Sequence, residues 1–228
     1  MIEFLFLDLD DTILDFHMQE SVAIQKTLRF AGIDPTPETC ALYSKINLRH
    51  WKMLEKGEIT RETLTWHRFA ELFEVLGATA DPKETAENYM DNLSQGHYFL
   101  PGAEDAVKSL AKKYKLYLAS NGTARVQEKR LASAGLSKYF EEVFISQNIG
   151  VNKPDKGFFD GCFAAIPGFD PQKAMIVGDS ISSDIRGGKN AGILTCWVNP
   201  KGKTPVPEDA PDFEIPSITE LEELLEKL

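Results

Sequence analysis

The chain has 228 residues, 43% of them hydrophobic and 26% charged, with a formal net charge of -10. That many large apolar residues exclude a disordered chain, and the length fits one full domain carrying a substantial insertion. The acidic balance argues against a nucleic acid polymer as partner and favours a small anionic ligand met by a local cation.

The N-terminal stretch "FLFLDLDDTILD", residues 4 to 15, begins as an apolar strand and then delivers Asp8, Asp10, Asp11 and Asp15. It has no basic lead and its apolar run is broken by acids. Neither a signal peptide nor a membrane span is expected, and a cytoplasmic location follows by default. Residues 16–98 read as helix throughout, in the segments "HMQESVAIQKTLRFAG", "ETCALYSKINLRHWKMLEKG", "TRETLTWHRFAELFEVLG" and "PKETAENYMDNLSQG". The glycines at 32, 57, 77 and 96 fall where helices should stop.

From residue 99 the pattern changes to short apolar runs alternating with amphipathic segments. "KLYLASN", "EEVFISQ", "AMIVGDS" and "ILTCWVN" read as strands of a parallel sheet covered by helices, and "IEFLFLD" joins them by character. The tail "ITELEELLEKL" reads as a capped amphipathic helix. The expected fold is α/β: a Rossmann-like parallel core of residues 1–15 and 99–228, with an all-helical cap of residues 16–98 inserted after the first strand. An insertion there would lie over the ligand-binding edge of the sheet as a lid.

Four polar clusters follow or flank these strands: Asp8-Leu9-Asp10-Asp11-Thr12, Ser120-Asn121-Gly122, Lys153-Pro154-Asp155, and Gly178-Asp179 with Asp184 five residues on. In a parallel sheet they converge on one edge. Asp8 and Asp10, two apart in an extended backbone, should share a side, with Asp11 turned away. Adding Asp179 makes an oxygen-rich site suited to Mg2+. The plainer reading of these acids is strand-end turns and helix caps, and Asp15 reads as a cap for the first inserted helix.

Ser120-Asn121-Gly122 reads either as an ordinary cap and turn or as an anion cradle, its glycine allowing close backbone approach. Lys153 is either a surface lysine or the cation that an acidic site needs to hold phosphate. The four histidines all lie in the helical insertion without metal-ligand spacing, which argues against zinc. His50-Trp51 and Trp66-His67 read either as helix packing or as pocket lining. Cys40, Cys162 and Cys196 form no CxxC pair and read as reduced, packed thiols. "GGKNAG" lacks the pattern of a Walker A loop, and no GxSxG or GxGxxG is present.

In this order and combination, Asp8 to Thr12, Ser120, Lys153 and Gly178 to Asp184, the chain resembles the haloacid dehalogenase superfamily, specifically its phosphatases with a helical cap after the first motif. The resemblance implies that Asp8 is the nucleophile and forms an aspartyl-phosphate. Asp10 would be general acid and then general base. Mg2+ would be held by Asp8, the carbonyl of Asp10 and Asp179, with Asp184 and Thr12 in supporting positions. Ser120, Asn121 and Lys153 would hold the phosphoryl oxygens.

Asp8 should then be ionised at neutral pH without a base, whereas Asp10 must carry a proton at the first step, its acidity weakened by neighbouring carboxylates. An aspartate at position 10 is also what the resemblance implies for phosphate ester hydrolysis, as against dehalogenation. "SQNIGVNKPD" and the cap length resemble the house-cleaning pyrimidine 5'-nucleotidase branch, so small phosphorylated substrates, nucleoside 5'-monophosphates above all, are expected. A sugar-phosphate phosphatase and a phosphomutase use the same clusters, and a scaffold keeping the fold without the reaction is the third reading.

Overall fold

The computed structural model describes residues 1–228, which divide into two compact units, Met1–Phe16 with His97–Leu228, and His17–Gly96. No helix is long and apolar enough to cross a membrane.

The inserted unit is built on α1 (Phe16–Phe30), α2 (Pro37–Glu55), α3 (Arg61–Leu76) and α4 (Pro82–Leu93). Three of these start on side-chain caps, with Thr36, Thr60 and Asp81 accepting from backbone N–H groups of the first turn. Gly77 ends α3 in the left-handed region, at φ 64°. The helices are held by an aromatic triangle of Tyr43, Phe69 and Tyr89, with ring centroids 5.2 to 5.6 Å apart. His50 is buried, its Nδ1 against the Ile46 carbonyl. Trp66 packs edge-on against His67.

The other unit is a six-stranded sheet: β1 (Phe4–Leu7), β2 (Lys115–Ser120), β3 (Glu142–Ile145), β4 (Ala174–Gly178), β5 (Leu194–Val198) and β6 (Phe213–Ile215). Every pairing is parallel, in the order β3-β2-β1-β4-β5-β6. Helices α5 (Ala103–Leu110), α6 (Ala124–Ser133), α7 (Ser146–Ile149), α8 (Lys156–Ala165), α9 (Arg186–Ala191) and α10 (Leu221–Leu225) complete it.

The alternation in β1 explains why a near-continuous apolar run was needed. Leu5 and Leu7 join Leu118, Val177 and Cys196 in one core, while Phe4 and Phe6 join Tyr117, Phe144 and Phe159 in another. Each such side chain, fully buried, contributes about 1.5–3 kcal/mol. Strand order reverses direction between β1 and β4, so this pair of strands flanks the switch point where open parallel sheets bind ligands. Asp8 follows β1 and Asp179 follows β4.

Candidate active site

Beyond β1 the chain makes a tight turn in which Asp11 adopts a left-handed backbone, at φ 55°. This turn supplies the cap of α1: Asp11 Oδ1 accepts from the N–H of Phe16, the first residue of the helix, at 3.0 Å. The backbone N–H of Asp15 donates to the Tyr98 carbonyl at 2.8 Å.

Asp8 is buried and faces Lys153, whose Nζ donates to Asp8 Oδ1 at 2.8 Å, to Asp184 Oδ1 at 2.6 Å and to the Ala119 carbonyl at 2.5 Å. All three ammonium donors are therefore used. Burial alone would lower the Lys153 ammonium, but Asp184 and Asp8 outweigh it and hold it above the ordinary lysine range.

Asp184 reaches this point from a π-helical turn, Ile181–Ile185, with Ser180 N–H donating to its Oδ2 at 3.0 Å. Gly178 is required just before it. A Cβ there would lie 2.2 Å from Asp184 Oδ2. Trp197 on β5 fixes the same segment, its indole N–H donating to the Asp179 carbonyl at 2.8 Å.

Carboxylate oxygens of Asp8, Asp179 and Asp184 lie within 4.8 Å of one another. Asp8 and Asp184 share one ammonium, with Asp179 beside them. Burial, aided by Asp184, Asp8 and Asp11 and opposed by Lys153, pushes Asp179 up to about 9. Burial likewise pushes Asp8 up to about 7, with Lys153 opposing and Asp184 and Asp10 reinforcing. In the metal-free protein Asp8 is thus shifted from the ordinary carboxylate range. Hard oxygen donors with surplus negative charge fit Mg2+. Thr12 lies beside this loop with a buried hydroxyl that makes no hydrogen bond.

Asp10 is near enough to Asp8 to act on its charge, but its hydrogen bonds go to α6. Its Oδ1 accepts from Arg130 Nη1 at 2.5 Å and its Oδ2 from Gln127 Nε2 at 2.7 Å. Its hydrogen-bond partners are a buried guanidinium and an amide. Neither α6 residue belongs to one of the four polar clusters. The available signal was a glutamine and an arginine three apart on a short helix, on the same face as apolar Val126 and Leu131, where burial is costly for polar side chains.

Ser120, at the end of β2, is buried, and its Oγ accepts from Gly122 N–H at 3.0 Å and from Gln127 Nε2 at 2.9 Å. A Cβ on Gly122 would lie 2.5 Å from Gln127 Nε2, so the glycine makes room for that side chain. Asn121 turns its amide onto the backbone of Lys153, donating to its carbonyl at 2.8 Å and accepting from its N–H at 2.9 Å.

The family model for haloacid dehalogenase-like hydrolases matches residues 5–198, which takes in all four clusters. The chain belongs to this family. Among relatives of these hydrolases, pyrimidine 5'-nucleotidase PynA of Streptococcus pneumoniae is 38% identical over 226 residues, 99% of this chain and 95% of that protein. Pyrimidine 5'-nucleotidase YjjG of Escherichia coli is 31% identical over 223 residues, 98% and 97% of the two chains. The crystal structure of the HAD-hydrolase YfnB from Bacillus subtilis, bound to magnesium, superposes with a TM-score of 0.93 at 37% identity, covering 98% of each chain. This haloacid dehalogenase-like hydrolase therefore has the α/β core of its family, and its acidic site lies at the strand ends flanking the switch point.

Proposed function

We propose that the protein is a Mg2+-dependent phosphomonoesterase that works through an aspartyl-phosphate on Asp8 and hydrolyses small phosphorylated metabolites, nucleoside 5'-monophosphates first among them. The observation that carries this reading is the contact of Lys153 with both Asp8 and Asp184 at the rim of β1 and β4, beside Asp179. The full-length likeness to two pyrimidine 5'-nucleotidases supports the nucleotide preference.

In this mechanism an Asp8 carboxylate oxygen attacks phosphorus, and the bond from phosphorus to the ester oxygen breaks. Asp10 gives its proton to the departing alkoxide. The Lys153 ammonium and the Ser120 hydroxyl hold the phosphoryl oxygens and offset the repulsion between a carboxylate and a phosphate dianion. Mg2+, held by Asp8, Asp179 and the Asp10 carbonyl, with Asp184 and Thr12 supporting, would supply further positive charge to those oxygens. Water then attacks phosphorus in the acyl phosphate, Asp10 takes the proton, and inorganic phosphate leaves with Asp8 restored.

The test is a phosphate-release screen with Mg2+ over nucleoside monophosphates and sugar phosphates. Preference for nucleoside 5'-monophosphates is expected. Indifference to the base would shift the reading to sugar phosphates, and isomerisation of a sugar phosphate without net phosphate release would replace hydrolase by mutase.

A further inference from the structure

Gln127 and Arg130 lie three residues apart on one face of α6 and are almost fully buried, at 1% and 0% exposure. Together with Asp10 they form a closed ring. Arg130 Nη1 donates to Asp10 Oδ1 and to Gln127 Oε1, and Gln127 Nε2 donates to Asp10 Oδ2. The ring fixes the amide's orientation. Flipping it would set Oε1 against a carboxylate and the NH2 group against a guanidinium, two repulsive contacts in place of two attractive ones.

The second amide hydrogen of Gln127 goes to Ser120 Oγ, which also accepts from Gly122 N–H. A hydroxyl has two acceptor positions and one proton, so with both acceptor positions filled by N–H donors Ser120 can act outward only as a donor. A phosphoryl oxygen requires a donor. Gly122 leaves the space that Gln127 occupies, and Arg130 keeps Nε and Nη2 without hydrogen bonds, its guanidinium beneath the Phe16 ring at 5.8 Å. A buried cation left partly unsatisfied, yet aimed through Nη1 at a single carboxylate and its amide partner, calls for a specific role.

We infer that Gln127 and Arg130 are positioning residues: together they set the direction of the Asp10 carboxylate for proton delivery, and Gln127 also holds the Ser120 hydroxyl in its donor state. The inference rests on the phosphomonoesterase reading, in which Asp10 protonates the leaving alkoxide. Such protonation matters for an alkyl phosphate, whose leaving group is strongly basic. It matters little for an aryl phosphate such as p-nitrophenyl phosphate, whose leaving group departs as the anion.

The experiment compares kcat/KM, which reports the phosphorylation step, for a nucleoside 5'-monophosphate and p-nitrophenyl phosphate in wild type, Arg130→Met, Arg130→Lys and Gln127→Met. Arg130→Met should lose about 100-fold on the alkyl ester and less than about 10-fold on the aryl ester, and Arg130→Lys should recover part of the difference. Gln127→Met, of similar volume, should show the same selective loss plus a smaller common loss through Ser120. It decides the matter if Arg130→Met does not fold. Equal losses on both esters, or none, would overturn the inference while leaving the phosphatase reading intact. A wild-type protein releasing phosphate from neither ester would remove both.

Discussion

Asn121 holds the backbone of Lys153 from both sides, its Nδ2 donating to the carbonyl at 2.8 Å and its Oδ1 accepting from the N–H at 2.9 Å. The lysine that meets Asp8 and Asp184 is thus located by a side chain at the end of β2. Asn121→Ala leaves both backbone groups without these partners and should cost about 1–3 kcal/mol of stability. Turnover should fall by about 10-fold or more through misplaced Lys153. Asn121→Asp keeps the acceptor and loses the donor, so it should lie between the two in urea unfolding and in phosphate release. Wild-type behaviour of Asn121→Ala in both measurements would show that the clamp does not position Lys153.

Gly178→Ala tests the placement of Asp184. The new Cβ would fall 2.2 Å from Oδ2 and 2.4 Å from Cγ of a carboxylate that is 1% exposed and already bonded to Lys153 and to Ser180 N–H. The carboxylate must move, and loss of such a supporting contact typically costs 10- to 100-fold, so Mg2+ affinity and turnover should both fall by about that factor. Gly192→Ala is the control. Its Cβ meets nothing within 4 Å, but its φ is +73°, so stability should drop while Mg2+ affinity stays near wild type. Calorimetric titration with Mg2+ separates the two variants, and equal affinities would contradict the crowding at Gly178.

What the sequence made legible follows the physics of each segment. β1, β2, β4 and β5 are apolar runs buried on both faces, and β3 is half exposed at its start but still apolar at its end. Composition alone marks all five. β6 escaped because it has three residues, pairs only with β5 and keeps one face open, which leaves no periodic signature. The C-terminal helix was read too long: Ser217 caps a 3-10 turn over Ile218–Glu220, and only Leu221–Leu225 is α-helical.

At the site, Asp8, Ser120 and Asp179 stand at strand ends, and Lys153 and Asp184 in the segments that lead into α8 and α9, where spacing is informative. Gln127, Arg130 and Trp197 act across elements. Their contacts with Asp10, Ser120 and the Asp179 carbonyl depend on how α6 and β5 pack, and no local pattern encodes that. Spacing in an extended chain also predicted a shared side for Asp8 and Asp10. β1 ends at Leu7, and the two carboxylates find different partners.

The acidic cluster makes stability and metal binding depend on pH in a definite direction. Asp8 and Asp179 are pushed to about 7 and about 9, from an unfolded value of about 3.9. Between about pH 4 and those values the folded, metal-free protein binds protons that the unfolded chain releases, so its stability falls as pH rises and levels off above about 9. Mg2+ competes with those protons. The rise in Tm on adding Mg2+ should therefore be larger at pH 8 than at pH 6, read by thermal unfolding with and without chelator. A Mg2+ shift that shrinks with rising pH would contradict the proposed ligand set.

Asp8→Asn separates what this residue does for chemistry from what it does to the fold. The amide keeps the shape but is not a nucleophile at phosphorus, so turnover should fall by at least about 10³-fold, as expected when a covalent step is removed. The same change removes one of the anions that raise Asp179, while Lys153 keeps its contact with Asp184. A reactive carboxylate that is costly to bury should yield stability when neutralised. The metal-free variant should therefore unfold at a higher temperature than wild type at pH 8, and its stability should decline less between pH 6 and pH 8, because one of the two raised carboxylates is gone. A variant both inactive and less stable at pH 8 would make Asp8 a structural partner of Lys153, whereas full activity would remove it from the reaction altogether.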